Sequence, residues 1–291
     1  MKILSIHNRY LQPGGEDVAV AAEKALLEAH GHRVVDYHRS NAEIDERGLS
    51  KARVAAKAFW AADTVHELER LLGEEKPDIA HFHNTLTMIS PAAYYACRRA
   101  RVPVVQTLHN YRLICPRADL FRSGRICEDC VGRAVPWPAV LHGCYHASRV
   151  ETAAVASAIS LHWLIRTWRR AVDVYITPSE FARSKLVAGG VPAAKLFVKP
   201  NFLATDPGRG ARQGGYALFS GRFTPIEKLE TLLGAWSKLR TDARLKLIGA
   251  TAEERESMER RFAARGLKNV EVLGWQPRPR LFELLKEAVF F

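Results

Sequence analysis

Residues 216–236 read YALFSGRFTPIEKLETLLGAW and carry the strongest fold signal in the chain. The apolar start predicts a buried strand. Thr224 followed three residues later by Glu227, with a proline between them, predicts a helix that begins beyond a glycine turn. An ordinary strand–turn–helix unit of a parallel sheet accounts for this pattern. A helix N-terminus with Arg222 and Lys228 beside it is also suited to bind a phosphate, and local spacing leaves both interpretations open.

The composition is that of a packed protein with a large surplus of basic residues. The chain has 291 residues, 47% hydrophobic and 25% charged, with a formal net charge of +12. The length predicts two domains or one large one, and the charge favours an anionic partner. A phosphorylated substrate and an acidic membrane face both fit, as does an Arg-rich composition without any partner. No nucleic acid is expected, because the basic residues are scattered and no zinc-finger or RNP-type motif is present.

Nothing in the sequence predicts secretion or membrane insertion. Met1 and Lys2 lead directly into a β-like segment, and no uncharged run is long and apolar enough to span a bilayer. These features predict a cytoplasmic protein. Five cysteines in such a chain indicate thiols or metal ligands before disulfides.

The N-terminal residues follow the pattern of a doubly wound α/β domain. A buried strand is predicted at residues 2–6, a helix ends near Gly31, and a second strand covers residues 33–37. Between the first strand and the helix lie Gly14 and Gly15, where a backbone can approach a ligand closely. The dinucleotide fingerprint GxGxxG is absent.

Histidines follow three of the predicted strands. They are His7, the pair His81 and His83, and His109. Because the carboxyl ends of parallel strands meet at one edge of a sheet, we expect these side chains to converge on a ligand crevice. At least one of them is expected to contact a ligand. The HxxxH spacing of a zinc protease does not occur among them.

Residues 115–144 form a Pro- and Gly-rich excursion with four of the five cysteines. One CxxC pair is flanked by two further cysteines, which makes a four-thiolate structural zinc site possible at Cys115, Cys127, Cys130 and Cys144. Free thiols and a CxxC redox pair are the alternatives. The fifth cysteine, Cys97, lies on a predicted helix and is expected in the core.

The chain divides most naturally at residues 199–215, a polar stretch rich in Gly and Pro. We therefore expect an N-terminal domain at 1–198 and a second domain at 216–291. The second domain ends on an apolar segment, 289–291, which resembles the start of another strand. Within the first domain a long helix is predicted from Ser148 to about Ala171. Its Trp- and Arg-rich end either packs on that domain or rests on a membrane surface.

At this point the sequence resembles a known family, the GT-B-fold retaining glycosyltransferases of family GT4. Each motif is weak alone, but their order over nearly the whole chain is specific. The motifs are Pro13-Gly14-Gly15, His81-Phe82-His83-Asn84, Thr107-Leu108-His109-Asn110, Lys199-Pro200-Asn201, Gly221-Arg222, Leu232-Leu233-Gly234-Ala235-Trp236, Lys246-Leu247-Ile248-Gly249 and Val272-Leu273-Gly274-Trp275. The resemblance implies an α/β, GT-B-like fold with two doubly wound, Rossmann-like domains facing a cleft, the second incomplete.

The resemblance also implies an activity. Such enzymes transfer a sugar from a nucleotide-sugar, commonly UDP- or GDP-linked, to a glycan or lipid-linked acceptor with retention of configuration and without a catalytic metal. It places the protein in polysaccharide synthesis in the cytoplasm, with peripheral contact at the inner face of an anionic cell membrane. It gives His109 a contact with the transferred sugar. It assigns donor binding to Gly14, Gly15, Arg222 and Lys228, and the acceptor cleft to His83, Asn84 and Asn110.

Two departures from the family pattern bear on activity. Where members usually read Pro-Glu-Lys-Gly, this chain has Ile226, Glu227 and Lys228 after the proline. Either Glu227 folds back onto the helix start and Lys228 supplies the charge, or a carboxylate faces the diphosphate. The chain also stops before the family's Glu-x₇-Glu segment, so a C-terminal truncation is expected. The alternative function is a non-catalytic acceptor- or glycan-binding module of the same fold.

Overall fold

The structure is a computed structural model that describes residues 1–11, 14–203, 206–221, 223, 227–239 and 242–291, with the backbone alone at 227 and 228. The chain divides into two compact units, Met1–Ala204 and Thr205–Phe291. The division falls within the predicted linker, residues 199–215.

The first unit alternates strands and helices along most of its length. Its strands are β1 Lys2–Arg9, β2 Arg33–Ser40, β3 Ile79–Phe82, β4 Val104–Thr107, β5 Phe121–Arg122, β6 Arg125–Ile126, β7 Val174–Thr177 and β8 Leu196–Val198. Its helices are α1 Gly15–Ala29, α2 Glu43–Glu46, α3 Lys51–Phe59, α4 Ala62–Glu75, α5 Ala93–Arg99, α6 Trp137–His142, α7 Arg149–Leu164, α8 Thr167–Arg170 and α9 Glu180–Ala188, with a 3-10 turn at Ala193–Lys195.

The second unit continues the same alternation. Its strands are β9 Tyr216–Ser220, β10 Arg244–Ala250 and β11 Val270–Gly274, and its helices are α10 Glu227–Trp236, α11 Ala252–Ala264 and α12 Arg278–Glu287. The strand predicted at the apolar start of residues 216–236 is confirmed as β9. None of the described helices in either unit is long and apolar enough to cross a membrane.

The sheet of the first unit is entirely parallel, with the strand order β2-β1-β3-β4-β7-β8. The direction in which strands are added reverses at β1, which pairs with β2 on one side and β3 on the other. Ligands of open α/β sheets bind outside the carboxyl ends of the strands at such a reversal. Residues that follow β1, β3 and β4 therefore lie where a ligand site is expected.

The central strands are apolar because helices cover both faces of a parallel sheet. Leu4 and Ile6 of β1 are fully buried, as is Phe82 at the end of β3. They share one core with Tyr94 of α5 and Trp168 of α8. Cys97 belongs to the same core and is fully buried, as predicted.

The long helix predicted from Ser148 is wrong in its length. Ser148 caps α7, because its hydroxyl accepts a hydrogen bond from the Glu151 amide. The helix then ends at Leu164, and Arg166 adopts a left-handed φ of +60° before the short α8. Trp168 is only 3% exposed and lies in the core, so the packing interpretation of this end is confirmed.

Three helices begin within residues 42–72, namely α2, α3 and α4. The first, α2, is a single turn that ends beside Gly48, whose φ is +56°. Ser50 then caps α3 by accepting a hydrogen bond from the Arg53 amide. A glycine at position 48 followed two residues later by the Ser50 cap marks this helix boundary in the sequence.

The sheet of the second unit has the order β11-β10-β9, again parallel. Phe290 forms a parallel bridge to Ala217 on the open side of β9. Chain order is therefore 3-2-1-4 across this sheet, as in a nucleotide-binding Rossmann half. The predicted strand start at 289–291 is confirmed, and both units are Rossmann-like.

Candidate functional site

Four histidines converge at the carboxyl edge of the first sheet, as the strand order predicts. The ring centres of His81 and His83 lie 4.3 Å apart, those of His83 and His109 lie 5.5 Å apart, and His7 lies 6.0 Å from His83. Three neighbouring strands supply them: β1 holds His7, β3 holds His81 and ends before His83, and His109 follows β4. The expected convergence is confirmed.

His83 and His109 are directly linked through their rings. The His83 Nδ1 and the His109 Nε2 lie 3.2 Å apart, so one neutral ring donates a hydrogen bond to the other. Burial lowers the pKa of His109 to about 4 and holds the pKa of His83 well below its usual value. Both rings are therefore neutral near pH 7, where each offers one donor and one acceptor.

His109 also lies at a pocket. Its ring is half-buried, and its Nδ1 forms no hydrogen bond with any part of the chain that the structure describes. The pocket has a cavity volume of about 50 Å³ and opens to solvent. His83, Asn84, Asn110 and Arg112 line its polar side, and Ala58, Val155 and Ile159 line its apolar side. The His109 Nδ1 is thus available to a ligand.

His81 belongs to a polar network that includes the ion pair between Glu23 and Lys199. Its Nε2 lies 2.8 Å from the Thr107 hydroxyl, and its Nδ1 lies 3.9 Å from a carboxylate oxygen of Glu23. Burial lowers the pKa of His81 to about 4. The other oxygen of Glu23 accepts a hydrogen bond of 2.6 Å from the Lys199 ammonium. Glu23 is 7% exposed, so Lys199 neutralises a buried carboxylate.

Glu23, His81 and His83 could also hold a metal ion. Each offers one ligand atom within 4.8 Å of the others, and no other such group occurs among the described residues. Two imidazoles and a carboxylate are a usual donor set for a transition metal. However, the Lys199 ammonium already occupies the charge-balancing position beside Glu23. The residues fit a neutral histidine network better than a metal centre.

His7 is tied to the first turn of α1. Its Nε2 lies 3.0 Å from one oxygen of Asp17, and the other oxygen accepts the Gly14 amide at 2.8 Å. Gly14 is the residue that precedes α1. At Gly15 an added Cβ would meet no atom within 4 Å. Packing against the described residues therefore does not explain this glycine, which lies at the same sheet edge as the histidines.

The two asparagines predicted at the site differ in their surroundings. The Asn84 amide donates to the carbonyls of Asn8 and Leu86, and its oxygen accepts the Leu86 amide. Asn84 is 7% exposed, so its polar atoms already hold the backbone together. Asn110 is half-buried, and its oxygen accepts the Arg112 amide at 3.0 Å. Of the two, Asn110 is the better placed to reach a ligand.

A second group of titratable residues, which the sequence did not reveal, lies near Asn110. The Asn110 amide approaches the Tyr10 hydroxyl at 3.5 Å. Tyr10 in turn bonds Glu16 at the start of α1, and burial raises the pKa of Glu16 to about 7. Shifted carboxyl groups of this kind are concentrated at functional sites.

The predicted phosphate site lies largely outside the described residues. Arg222 lies outside the described residues. The side chain of Lys228 does so too, although its backbone lies in α10. What the structure does describe is a close backbone approach at the carboxyl edge of the second sheet. An added Cβ at Gly249, whose φ is +115°, would lie 2.3 Å from the Gly221 carbonyl oxygen. Only glycine fits there.

The four cysteines of the excursion line one small pocket: Cys115, Cys127, Cys130 and Cys144. They are free thiols in this structure. Among the described residues no three of their sulfurs fall within 4.8 Å of one another. The expectation of a closed four-thiolate cluster is therefore not met, because the sulfurs are spaced more widely than the ligands of one ion.

Sequence reasoning missed Glu23, Asp17 and the role of Lys199. The sequence position of each residue does indicate its role. Glu23 follows Ala22 directly on the covered side of α1, where a charged residue requires a partner. Asp17 lies three residues after Gly14, the spacing of a helix-start contact. Lys199 directly follows β8 and therefore lies at the same sheet edge as the histidines.

Comparison with known proteins identifies the family. The family model described as Glycosyltransferase Family 4 matches residues 13–207. A curated Klebsiella pneumoniae protein, named an uncharacterized 42.6 kDa protein in the cps region, is 26% identical over 152 residues. That match covers 43% of this chain and 40% of the relative, so it spans less than half of either protein.

Solved structures share the fold at low sequence identity. Anabaena HepE in complex with UDP and glucose has a TM-score of 0.59 and 14% identity, with 99% of this chain and 72% of that chain covered. The lipopolysaccharide outer core galactosyltransferase WaaB has a TM-score of 0.56 and 13% identity, again with 99% of this chain and 72% of that chain covered. A UDP-GlcNAc 2-epimerase from Methanocaldococcus jannaschii has a TM-score of 0.51 and 13% identity, with 99% and 77% covered.

These structures show a GT-B-like fold but not a reaction, because a galactosyltransferase and an epimerase share it. The family match distinguishes between them, since it covers more than half of the chain and includes His81, His83 and His109. The protein therefore belongs to glycosyltransferase family 4.

Proposed function

We propose that this protein transfers a sugar from a UDP-linked donor to a glycan or lipid-linked acceptor, with retention of configuration, as a hexosyltransferase. The family match supports glycosyl transfer. The HepE structure, which contains UDP and glucose, supports a UDP-linked sugar over a GDP-linked one, and the neighbour WaaB is named a galactosyltransferase. The relative from a cps region supports a role in polysaccharide synthesis.

The observation that carries the proposal is the neutral His109 at the pocket. An uncharged imidazole whose Nδ1 is bonded by none of the described residues can exchange hydrogen bonds with a sugar hydroxyl without a large desolvation cost. His83 fixes the orientation of the ring through the 3.2 Å contact. In this proposal His109 contacts the transferred sugar, and Asn110 contacts the acceptor.

In the reaction the bond between the anomeric carbon and the diphosphate oxygen breaks, and the acceptor hydroxyl oxygen forms the new glycosidic bond. The hydroxyl proton leaves with the products, and the diphosphate gains negative charge. We assign the stabilisation of that charge to Arg222 and Lys228. These groups act electrostatically, without a catalytic metal.

Chemistry of the acceptor determines where the protein acts. A lipid-linked acceptor would place the reaction at the inner face of the cell membrane, and the net charge of +12 favours contact with anionic lipid. A soluble glycan acceptor would need no such contact. Binding to vesicles with and without anionic lipid separates these two cases.

The proposal is tested by incubating the full chain with individual UDP- and GDP-sugars and a lipid-linked glycan extract, followed by mass analysis of the products. We expect a product heavier by one sugar residue with a UDP-sugar, and none with the GDP-sugar of the same hexose. Transfer from GDP-sugars alone would overturn the choice of donor.

Two other outcomes would overturn the transferase proposal itself. Conversion of UDP-GlcNAc to its 2-epimer without an acceptor would indicate the reaction named for the archaeal neighbour. Binding of the glycan extract with no turnover of any donor would instead indicate a non-catalytic acceptor- or glycan-binding module.

A further inference from the structure

The cysteine pocket lies apart from the histidine network and plays no part in the proposed reaction. Its four thiols come from three places in the chain: one directly after the core residue Ile114, two in the turn after β6, and one after α6. Cys115 and Cys130 are each 8% exposed, and Cys127 and Cys144 are half-buried. The fold therefore brings residues up to 29 positions apart to one enclosed place.

Local geometry directs the last of these thiols toward the pocket. Gly143 ends α6 in the left-handed region, with a φ of +59°. An added Cβ at Gly143 would lie 3.3 Å from the Arg149 amide nitrogen. The sharp turn at this glycine sends the chain back, so that Cys144 lines the same pocket as the CxxC pair.

Two arginines surround the thiols with positive charge. Arg117 and Arg122 both line the pocket, and the Arg122 side chain is only 15% exposed. A divalent ion held by four thiolates carries a net charge of −2, which the neighbouring guanidinium groups offset in part, since Arg117 is also paired with Asp119 at 2.8 Å. Asp129, the carboxylate that lines this pocket, is paired with Arg122 at 2.8 Å.

The segment 115–144 has almost no core of its own. Its regular structure is one hairpin of two-residue strands and the six-residue α6. Its buried apolar residues, such as Leu120 and Ala139, line the cysteine pocket and belong to none of the hydrophobic clusters found among the described residues. A segment of this kind needs a cross-link or a bound metal ion to remain folded.

We propose that the cysteines lining this pocket bind one structural zinc ion: Cys115, Cys127, Cys130 and Cys144. Four thiolates make a closed tetrahedral zinc site, which leaves no position for a substrate. Zinc binding draws the four sulfurs from their present spacing to that of ligands on one ion, as metal sites commonly couple to local folding. An iron–sulfur cluster uses the same ligands, and disulfides would use them in pairs, so both are outcomes of the test.

The test is metal analysis of the full chain, purified without chelator and with a mild reductant, together with its intact mass and thiol count. We expect about one zinc per chain and negligible iron. All five thiols should be free once the protein is unfolded in chelator. A folded protein without zinc, a mass lowered by the hydrogens lost in disulfides, or bound iron with visible absorbance would overturn the proposal.

Variants identify the ligands. Ser at any of the four positions, for example Cys130→Ser, should lower zinc content by about tenfold or more, since even indirect changes around a metal cost that much affinity. Cys97→Ala is the matched control, because Cys97 lies in the main core and does not line this pocket. Zinc loss in this control as well would contradict the assignment.

If a cysteine variant fails to fold, the zinc ligands can still be identified in the native protein. Titration of the folded protein with an organomercurial should release zinc in step with modification of four thiols, while the fully buried Cys97 reacts last. Release that tracks no thiol would place the metal elsewhere, for example at Glu23, His81 and His83. Because none of these readouts is glycosyl transfer, they succeed or fail independently of the proposed function.

Discussion

The His83 Nδ1 and the His109 Nε2 lie 3.2 Å apart at the carboxyl edge of a parallel sheet, and burial keeps both rings uncharged. Two neighbouring strands supply this pair, since His83 follows β3 and His109 follows β4. The contact fixes the ring of His109 and leaves its Nδ1 available at the pocket. The predictions below follow from this arrangement and from the residues around it.

Stability should depend on pH through the buried histidines. The pKa values of His81 and His109 are lowered from 6.5 to about 4, so the unfolded chain binds more protons than the folded protein between these values. The free energy of unfolding should therefore fall as the pH drops from about 6.5 toward 4. Melting temperatures measured across this range test the sign.

His81→Gln should make that decline shallower, because a glutamine in its place takes up no proton. The same substitution at His66, which is exposed on α4, should leave the slope unchanged. A native protein that becomes more stable on acidification in this range would contradict the account.

The two asparagines should respond differently to substitution. Asn84→Ala removes three hydrogen bonds to the backbone and should lower the free energy of unfolding by about 1–3 kcal/mol. Asn110→Ala should have a smaller effect on stability and a larger effect on the KM for the acceptor. Urea unfolding and steady-state kinetics of both variants make the comparison. The reverse pattern would move the acceptor contact to Asn84.

Replacing Lys199 should lower the free energy of unfolding more than replacing its ion-pair partner Glu23. Lys199→Met leaves a buried carboxylate unpaired, whereas Glu23→Gln leaves an ammonium that is 40% exposed and can turn to water. We expect Lys199→Met to cost about 1–3 kcal/mol of unfolding free energy and Glu23→Gln to cost less. The double variant should be more stable than Lys199→Met alone. Equal losses in the two single variants would show that the pair is not buried in solution.

Arg222 and Lys228 should govern donor affinity. If both neutralise the diphosphate, replacing either one with Ala should weaken UDP binding by about tenfold, the usual effect of losing one charge-assisted contact. Calorimetric titration with UDP measures this, with Lys238→Ala at an exposed position as the control. Tighter binding in Glu227→Gln would indicate that the carboxylate faces the diphosphate. Unchanged binding in that variant would favour a Glu227 folded back onto the helix.

Much of the fold was predictable because the signals are local. The apolar runs of β1 and β9, and the cap at Ser148, each depend on a few adjacent residues. Convergence of the histidines was also predictable, because one rule for parallel sheets places strand ends together.

Contacts between distant parts of the chain were not predictable in this way. Glu23 meets Lys199 across 176 positions, and no local pattern announces that pairing. The break at Arg166 was missed because nothing in its neighbours departs from helical composition. The spacing of the four cysteines indicated a metal site, but it could not show how far apart the fold holds the sulfurs.

The central claim is that His109 contacts the transferred sugar of a UDP-linked donor. The most direct test is the initial rate of UDP release, measured with acceptor and with the UDP-sugar that the native chain uses as donor. The native chain, His109→Ala and His66→Ala are compared. We expect His66→Ala to match the native rate, and His109→Ala to fall by about 100-fold or more while still binding UDP, as when one transition-state hydrogen bond is removed. A His109→Ala rate equal to the native rate would contradict the account.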